Sequence, residues 1–247
     1  MDTFDFWHKL NLHGKKIVFS IFLLCLAFSG FTQEKKTYGT TRVAENLPYY
    51  DDKQFHYGFS IGINSSRFRE THSSSFLGTD SIISAVGRRS PGFSLGFIIS
   101  YRLTEYFDLR LMPSVAFYER KVEYEFKGRG LVDQISENTF IEFPLMLKFK
   151  SQKRKNFRMY LVGGIKPGVE AGSKKKDKKP TELRTKNFDL AIDYGFGLDI
   201  YYPLFKFSPE IRISHGLINM LVNDPNEYAV PLNNLSTHTV TVYLHFE

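Results

Sequence analysis

Segments in which every second residue is apolar recur along this chain, and the connections between them alternate short and long with one parity throughout. That combination suits an up-and-down antiparallel barrel, with tight turns at one end and long loops at the other. A membrane-spanning strand needs only about 9–11 residues, so such a barrel carries no continuous hydrophobic block.

Phe55 to Asn64 shows the alternation most cleanly, with Phe55, Tyr57, Phe59, Ile61 and Ile63 on one face and His56, Gly58, Ser60, Gly62 and Asn64 on the other. Equivalent segments are Phe93 to Tyr101, Phe107 to Tyr118, Ile141 to Lys150, Phe188 to Tyr201, Phe205 to Ser214 and Val240 to Phe246. Phe157 to Val169 is the least regular, interrupted by Gly163, Gly164 and Pro167. The brief connections are Leu103 to Tyr106, Ser151 to Asn156 and Tyr202 to Leu204; the long ones are Ser65 to Ser90, Glu119 to Phe140, Glu170 to Asn187 and His215 to His238. The pattern predicts an all-β fold: an eight-stranded antiparallel up-and-down transmembrane β-barrel over residues 55–247. With both termini in the periplasm, the short connections are periplasmic turns and the long ones face outside.

A soluble lipocalin-like barrel also alternates, so the buried face has to be decided. In a soluble barrel the polar face meets water and carries Lys, Glu and Thr in preference to glycine. Here that face mixes Gly, Ser and charges of both signs, while the other is an almost unbroken series of Phe, Ile, Leu and Tyr. Glycine suits a crowded lumen, and bulky aromatics suit lipid and its interface. The sequence therefore points to the bacterial outer membrane.

The N-terminus agrees. Lys9, Lys15 and Lys16 precede Ile17 to Phe28, an uncharged apolar stretch too short to span a bilayer, with small residues at Ala27, Ser29 and Gly30. Residues 1–32 read as a cleaved signal peptide, with cutting after Ser29 or near Thr32, and residues 33–54 as a polar periplasmic lead-in. Cys25, the single cysteine, lies inside the apolar stretch. The mature chain then has no thiolate or disulfide chemistry. Mean hydropathy is −0.26, and no other run is long enough for a transmembrane helix.

The inward parity carries the chemistry. Arg110, Glu142, Lys148, Asp193, Asp199, Glu210 and Arg212 all fall on it and form a candidate lumenal polar network. Charges in a narrow lumen lose hydration and persist only when paired and hydrogen-bonded. Because eight strands leave just enough room for side chains, the expected lumen is a packed polar core, not an ion path.

The run Lys174, Lys175, Lys176, Asp177, Lys178, Lys179 lies on a long loop after the fifth segment. It reads as a solvated, self-repelling loop, with an anion-binding role toward lipopolysaccharide phosphates as its functional alternative. Nucleic acid is excluded by compartment and by the absence of an interleaved aromatic platform. His72, Ser73, Ser74, Ser75 and Asp80 resemble a hydrolytic cluster only superficially, since serine-rich loops are ordinary. No His spacing suits a metal, and no cofactor or catalytic residue is expected.

Ile141-Glu142-Phe143-Pro144-Leu145-Met146-Leu147-Lys148-Phe149 resembles an E-x-P-L-x-x-K segment of small outer-membrane barrels from the Bacteroidetes group. Pro209-Glu210-Ile211-Arg212-Ile213-Ser214-His215-Gly216-Leu217-Ile218-Asn219 resembles the P-E-x-x-x-S-x-G-x-x-N segment of the PorT family. The resemblance spans roughly Phe55 to the C-terminus. It implies a non-enzymatic role in type IX secretion and gliding motility, by contact with other secretion-system proteins. A generic small barrel for adhesion or envelope integrity is the alternative, and a lipid-modifying barrel enzyme the third reading. One departure is the ending Phe246-Glu247, where barrels usually finish on an aromatic residue.

Overall fold

A computed structural model describes residues 45–72, 82–127, 130–172, 183–222, 228 and 232–247. Its strands are β1 (Phe55–His72), β2 (Ile82–Arg88), β3 (Ser90–Arg102), β4 (Phe107–Leu111), β5 (Ser114–Phe126), β6 (Gly130–Glu142), β7 (Leu145–Lys150), β8 (Phe157–Glu170), β9 (Phe188–Tyr201), β10 (Lys206–Gly216) and β11 (Leu232–Phe246). All pairings are antiparallel; β1 pairs with both β3 and β11, and β8 pairs with β9, so the sheet closes on itself.

The ring has eight walls although eleven strands are described, because three walls are each split in two; β2 and β3 lie end to end along β5, separated by Arg89. The β4 and β5 strands lie end to end along β3, separated by Met112 and Pro113. Likewise β6 and β7 lie end to end along β8, separated by Phe143 and Pro144. Proline has no N–H to give a ladder, which breaks each wall at that point. The carbonyls carry the connection instead: Phe97 N donates to Pro113 O at 2.9 Å, Met112 N to Pro144 O at 3.0 Å and Phe143 N to Pro167 O at 2.9 Å. Parity survives both breaks, because two residues intervene in each. The segment expected to be the least regular, Phe157 to Val169, lies within one continuous strand, β8, and pairs with β9 over that whole length.

Outward positions match the lipid-facing pattern. Phe97 is 70% exposed and Tyr57 67%, whereas Arg110, Lys148, Asp193, Glu210 and Arg212 are fully buried inside the ring. Along β1 the apolar outer face runs from Phe55 to Ile63. At about 3.3 Å per residue and a tilt of roughly 40° this stretch rises about 20–25 Å, close to the height of an outer-membrane barrel's apolar band. Glycine serves the crowded interior: a Cβ on Gly62 would strike the Tyr243 ring, and one on Gly197 the Tyr160 ring.

The long connections differ from expectation. Ser65 to Ser90 and Glu119 to Phe140 are not loops over most of their length, because β1 continues to His72, β2 starts at Ile82, and β5 and β6 form a hairpin reaching Phe126 and Gly130. In the same way β11 begins at Leu232, inside the expected His215 to His238 loop. The cause is a change of surroundings. Beyond Phe117, the outward positions of β5 become Glu119, Lys121, Glu123 and Glu125, while Val122, Tyr124 and Phe126 point inward. Once the strand leaves lipid, water takes the outer face and apolar side chains move to the interior. A core of Phe68, Ala85, Val122, Tyr124, Phe126, Leu183, Leu221, Leu232 and Leu235 fills this extension.

Candidate functional site

Glu210, on the inward face of β10, is the centre of the lumen. Arg212 donates to it through Nε at 2.8 Å, Tyr160 Oη donates at 3.0 Å, and His245 Nε2 lies 3.3 Å away. Arg110 Nη1 is 3.6 Å from the same carboxylate, and its Nη2 pairs with Glu247 at 2.6 Å. Asp193 approaches Arg212 at 3.8 Å. Lys148 donates to both oxygens of Asp199 at 2.8 Å and sits 3.7 Å above the Tyr160 ring, while Ser208 Oγ donates to Asp199 at 2.7 Å.

Glu142 belongs to a separate group higher in the barrel. Tyr118 Oη donates to it at 2.7 Å and Lys166 lies 3.4 Å away. Although Glu142 and Lys148 share one face of their wall, they are not partners. Strand spacing sets six residues about 20 Å apart, so the cross-wall neighbour decides the pairing.

The sum of these charges determines what the lumen can do. Among the described residues, eight buried cations (Arg110, Arg120, Lys148, Lys150, Arg158, Lys166, Lys206 and Arg212) face six buried carboxylates. Glu247 and Asp51 bring the carboxylates to eight. A closely packed interior with balanced charge selects no ion. Among the described residues, no group of three or more His, Cys, Asp or Glu is placed to hold a metal ion.

Glu247 is the feature that sequence reading missed. Its side chain turns inward to Arg110 and to Lys206 at 2.8 Å, which explains why an acidic residue follows Phe246. The ring of Phe246 keeps the outward position and stacks on Phe59, with centroids 4.9 Å apart.

The described part of the lead-in closes the short-turn end of the barrel. Asp51 takes a bidentate pair from Arg158, both bonds at 3.1 Å, and accepts from Tyr201 Oη at 3.2 Å. Tyr50 stacks on His56, with centroids 4.4 Å apart, beneath the Lys206 ammonium. Burial holds the Tyr50 phenol above its ordinary range. Asn46 fastens the start of this cap, its N–H donating to Asn156 Oδ1 at 2.8 Å and its side chain to Tyr201 O at 2.9 Å.

At the opposite end, Tyr124 Oη donates to Tyr228 O at 2.9 Å and the two rings meet edge on. Burial in the apolar extension raises the Tyr124 phenol as well. Outside, Arg88 pairs with Glu123 at 2.9 Å and Lys121 with Asp133 at 2.6 Å. The residues of the PorT-like segment each have a local task. Glu210 anchors the lumen and Ser214 is buried in it. Gly216 admits Thr237, and Asn219 Oδ1 accepts from Leu221 N and Leu235 N, both at 3.0 Å. The basic run Lys174 to Lys179, residues 1–32 expected to be a signal peptide and the Ser73 to Asp80 part of the serine-rich cluster lie outside the described residues.

A closed antiparallel ring with an apolar outer belt and a packed, charged lumen defines an outer-membrane β-barrel. The chain belongs to the family described as outer membrane protein beta-barrel domain, whose model matches residues 31–222. No curated protein matches it. Among solved structures, Neisserial surface protein A overlaps with a TM-score of 0.42 at 10% identity, covering 78% of this chain and 98% of that one. The outer membrane protein OprG from Pseudomonas aeruginosa gives 0.43 at 14% identity, covering 76% and 93%. Ail, the attachment invasion locus protein of Yersinia pestis, solved with the heparin analogue sucrose octasulfate, gives 0.36 at 13%, covering 78% and 99%. The protein resides in the outer membrane.

Proposed function

We propose that the protein is a non-enzymatic surface barrel of the adhesion or envelope type, which acts by presenting its extracellular extension to partners. The observation that carries this reading is the reversal of polarity along β5. A filled, charge-balanced lumen leaves transport without a path, whereas an apolar-cored, charge-coated extension provides a rigid platform above the lipid. Surfaces held by a rigid scaffold are where contact functions concentrate.

A role in type IX secretion is the second reading, supported by the likeness of Pro209 to Asn219 to the PorT-family segment. The local structural tasks of those residues favour neither reading over the other.

A deletion strain separates them. Under the first reading it loses attachment or becomes sensitive to detergent while exporting cargo bearing the C-terminal signal normally. Loss of that export would transfer the function to the second reading, and an unchanged strain in all three assays would defeat both.

A further inference from the structure

A belt of positive charge crosses the wall just above the apolar band, on the half of the barrel made by β3, β1, β11 and β10. The outward series of β1 passes from Ile61 and Ile63 through Ser65 to Arg67 and Arg69. Arg67 lies opposite His238 on β11, which lies opposite His215 on β10. Arg89 precedes Ser90, the partner of Ser66, and so flanks Arg67 from the other side. The Nδ1 atoms of His215 and His238 are 3.1 Å apart, and His215 Nε2 is 2.9 Å from the phenol of lipid-facing Tyr194.

These cations lack the neutralisation found elsewhere. Among the described residues no carboxylate forms an ion pair with Arg67, Arg69 or Arg89, and the buried Nε of Arg67 has no hydrogen-bond partner. Their neighbours Arg88 and Lys121 are both paired. On the β5–β6 side of the wall Glu119 lies directly across from Glu137.

The height of the belt identifies its ligand. Arg67 stands four residues beyond Ile63, roughly 10 Å higher. That is the headgroup zone of the outer leaflet, and a long Arg side chain reaches back toward it. Arginine's planar fork matches phosphate oxygens, and a soluble anion would gain nothing from the apolar wall beneath. We propose that Arg67, Arg69 and Arg89, with His215 and His238, bind the phosphates of a phosphorylated outer-leaflet glycolipid whose acyl chains lie along Ile63, Phe93 and Val240.

The test uses the full-length protein in non-ionic detergent, titrated with diphosphoryl lipid A, dephosphorylated lipid A or phosphatidylcholine, with complexes measured by native mass spectrometry. Selective retention of diphosphoryl lipid A is expected. The R67Q/R69Q/R89Q variant should weaken it on the order of a hundredfold, with the folded barrel verified by its faster unheated migration. Should the triple variant fail to fold, the exposed single changes R69Q and R89Q should each weaken binding about fivefold. Removing the opposing acids, E119Q/E137Q, should leave binding unchanged or tighter. Equal retention by the folded arginine variants, or equal binding of dephosphorylated lipid A, would overturn the proposal. So would displacement of the lipid by inorganic phosphate alone, or loss of binding only when Lys174 to Lys179 are neutralised.

Discussion

Replacing Glu210 by Gln tests the lumen most directly, because the change removes one negative charge with almost no change in volume. Glu210 is fully buried and receives Arg212, Arg110, Tyr160 and His245. Arg110 keeps Glu247 at 2.6 Å after the substitution, but the carboxylate left to Arg212 is Asp193 at 3.8 Å, beside the Tyr243 ring and the Met112 sulfur. The loss therefore concentrates on one poorly compensated guanidinium, and breaking a buried pair from one side costs about 3–5 kcal/mol. In E210Q/R212M the stranded charge is gone and the methionine fills much of its volume, so most of that loss should return. Exposed Glu137→Gln should shift stability by no more than about 0.5 kcal/mol. Urea titration of the heat-modifiable band in detergent measures all three variants. If E210Q melts with the wild type, or if the double variant is weaker than E210Q by a further full increment, Glu210 does not hold Arg212 and the paired-lumen argument fails.

Glu142→Lys should destabilise the barrel by about 3–5 kcal/mol, by confronting Lys166 and depriving Tyr118 of its acceptor; rescue by Lys166→Glu, and none by Lys148→Glu, would verify the partner in the same titration. In planar bilayers the purified protein should give no steady conductance, since side chains fill an eight-stranded lumen, and reproducible large steps would refute this. Val122→Glu should cost about 3 kcal/mol or more by placing a charge in the extension core, while Glu123→Val should be mild; near the membrane midplane the outward Val115→Lys should cost about 2–4 kcal/mol. Equal tolerance of Val122→Glu and Glu123→Val would remove the polarity reversal. Asp51→Asn should loosen the cap over the short-turn end and quicken amide exchange across residues 45–54, with the exchange of β8 and β9 amides near the lumen centre unchanged as the control.

Much of the architecture was legible because a strand has period two and lipid imposes one sign on that period. Phe55 to Ile63 faces outward in the barrel as its alternation required, and the brief connections fall where the pattern breaks. The same rule also caused the main misreading. From Tyr118 to Phe126 the alternation continues, but its apolar members move from odd to even positions, and this resembles a loop if one face is assumed to meet lipid throughout. The walls' two breaks were signalled by Pro113 and Pro144, yet only the carbonyl bonds from neighbouring walls show why the ring stays closed there.

Parity along a strand is a local property, so the sequence by itself determined which residues enter the lumen, including Arg110, Lys148, Glu210 and Arg212. Pairing is decided by register between walls that are distant in sequence. Only the closed ring could therefore place Lys148 on Asp199 and Glu142 beside Lys166, bring Glu247 to Arg110, seat Asp51 on Arg158, and align Arg67, Arg89, His215 and His238 into one belt. Each of those contacts depends on strands brought together by backbone hydrogen bonds across the ring, which no single segment of the chain encodes.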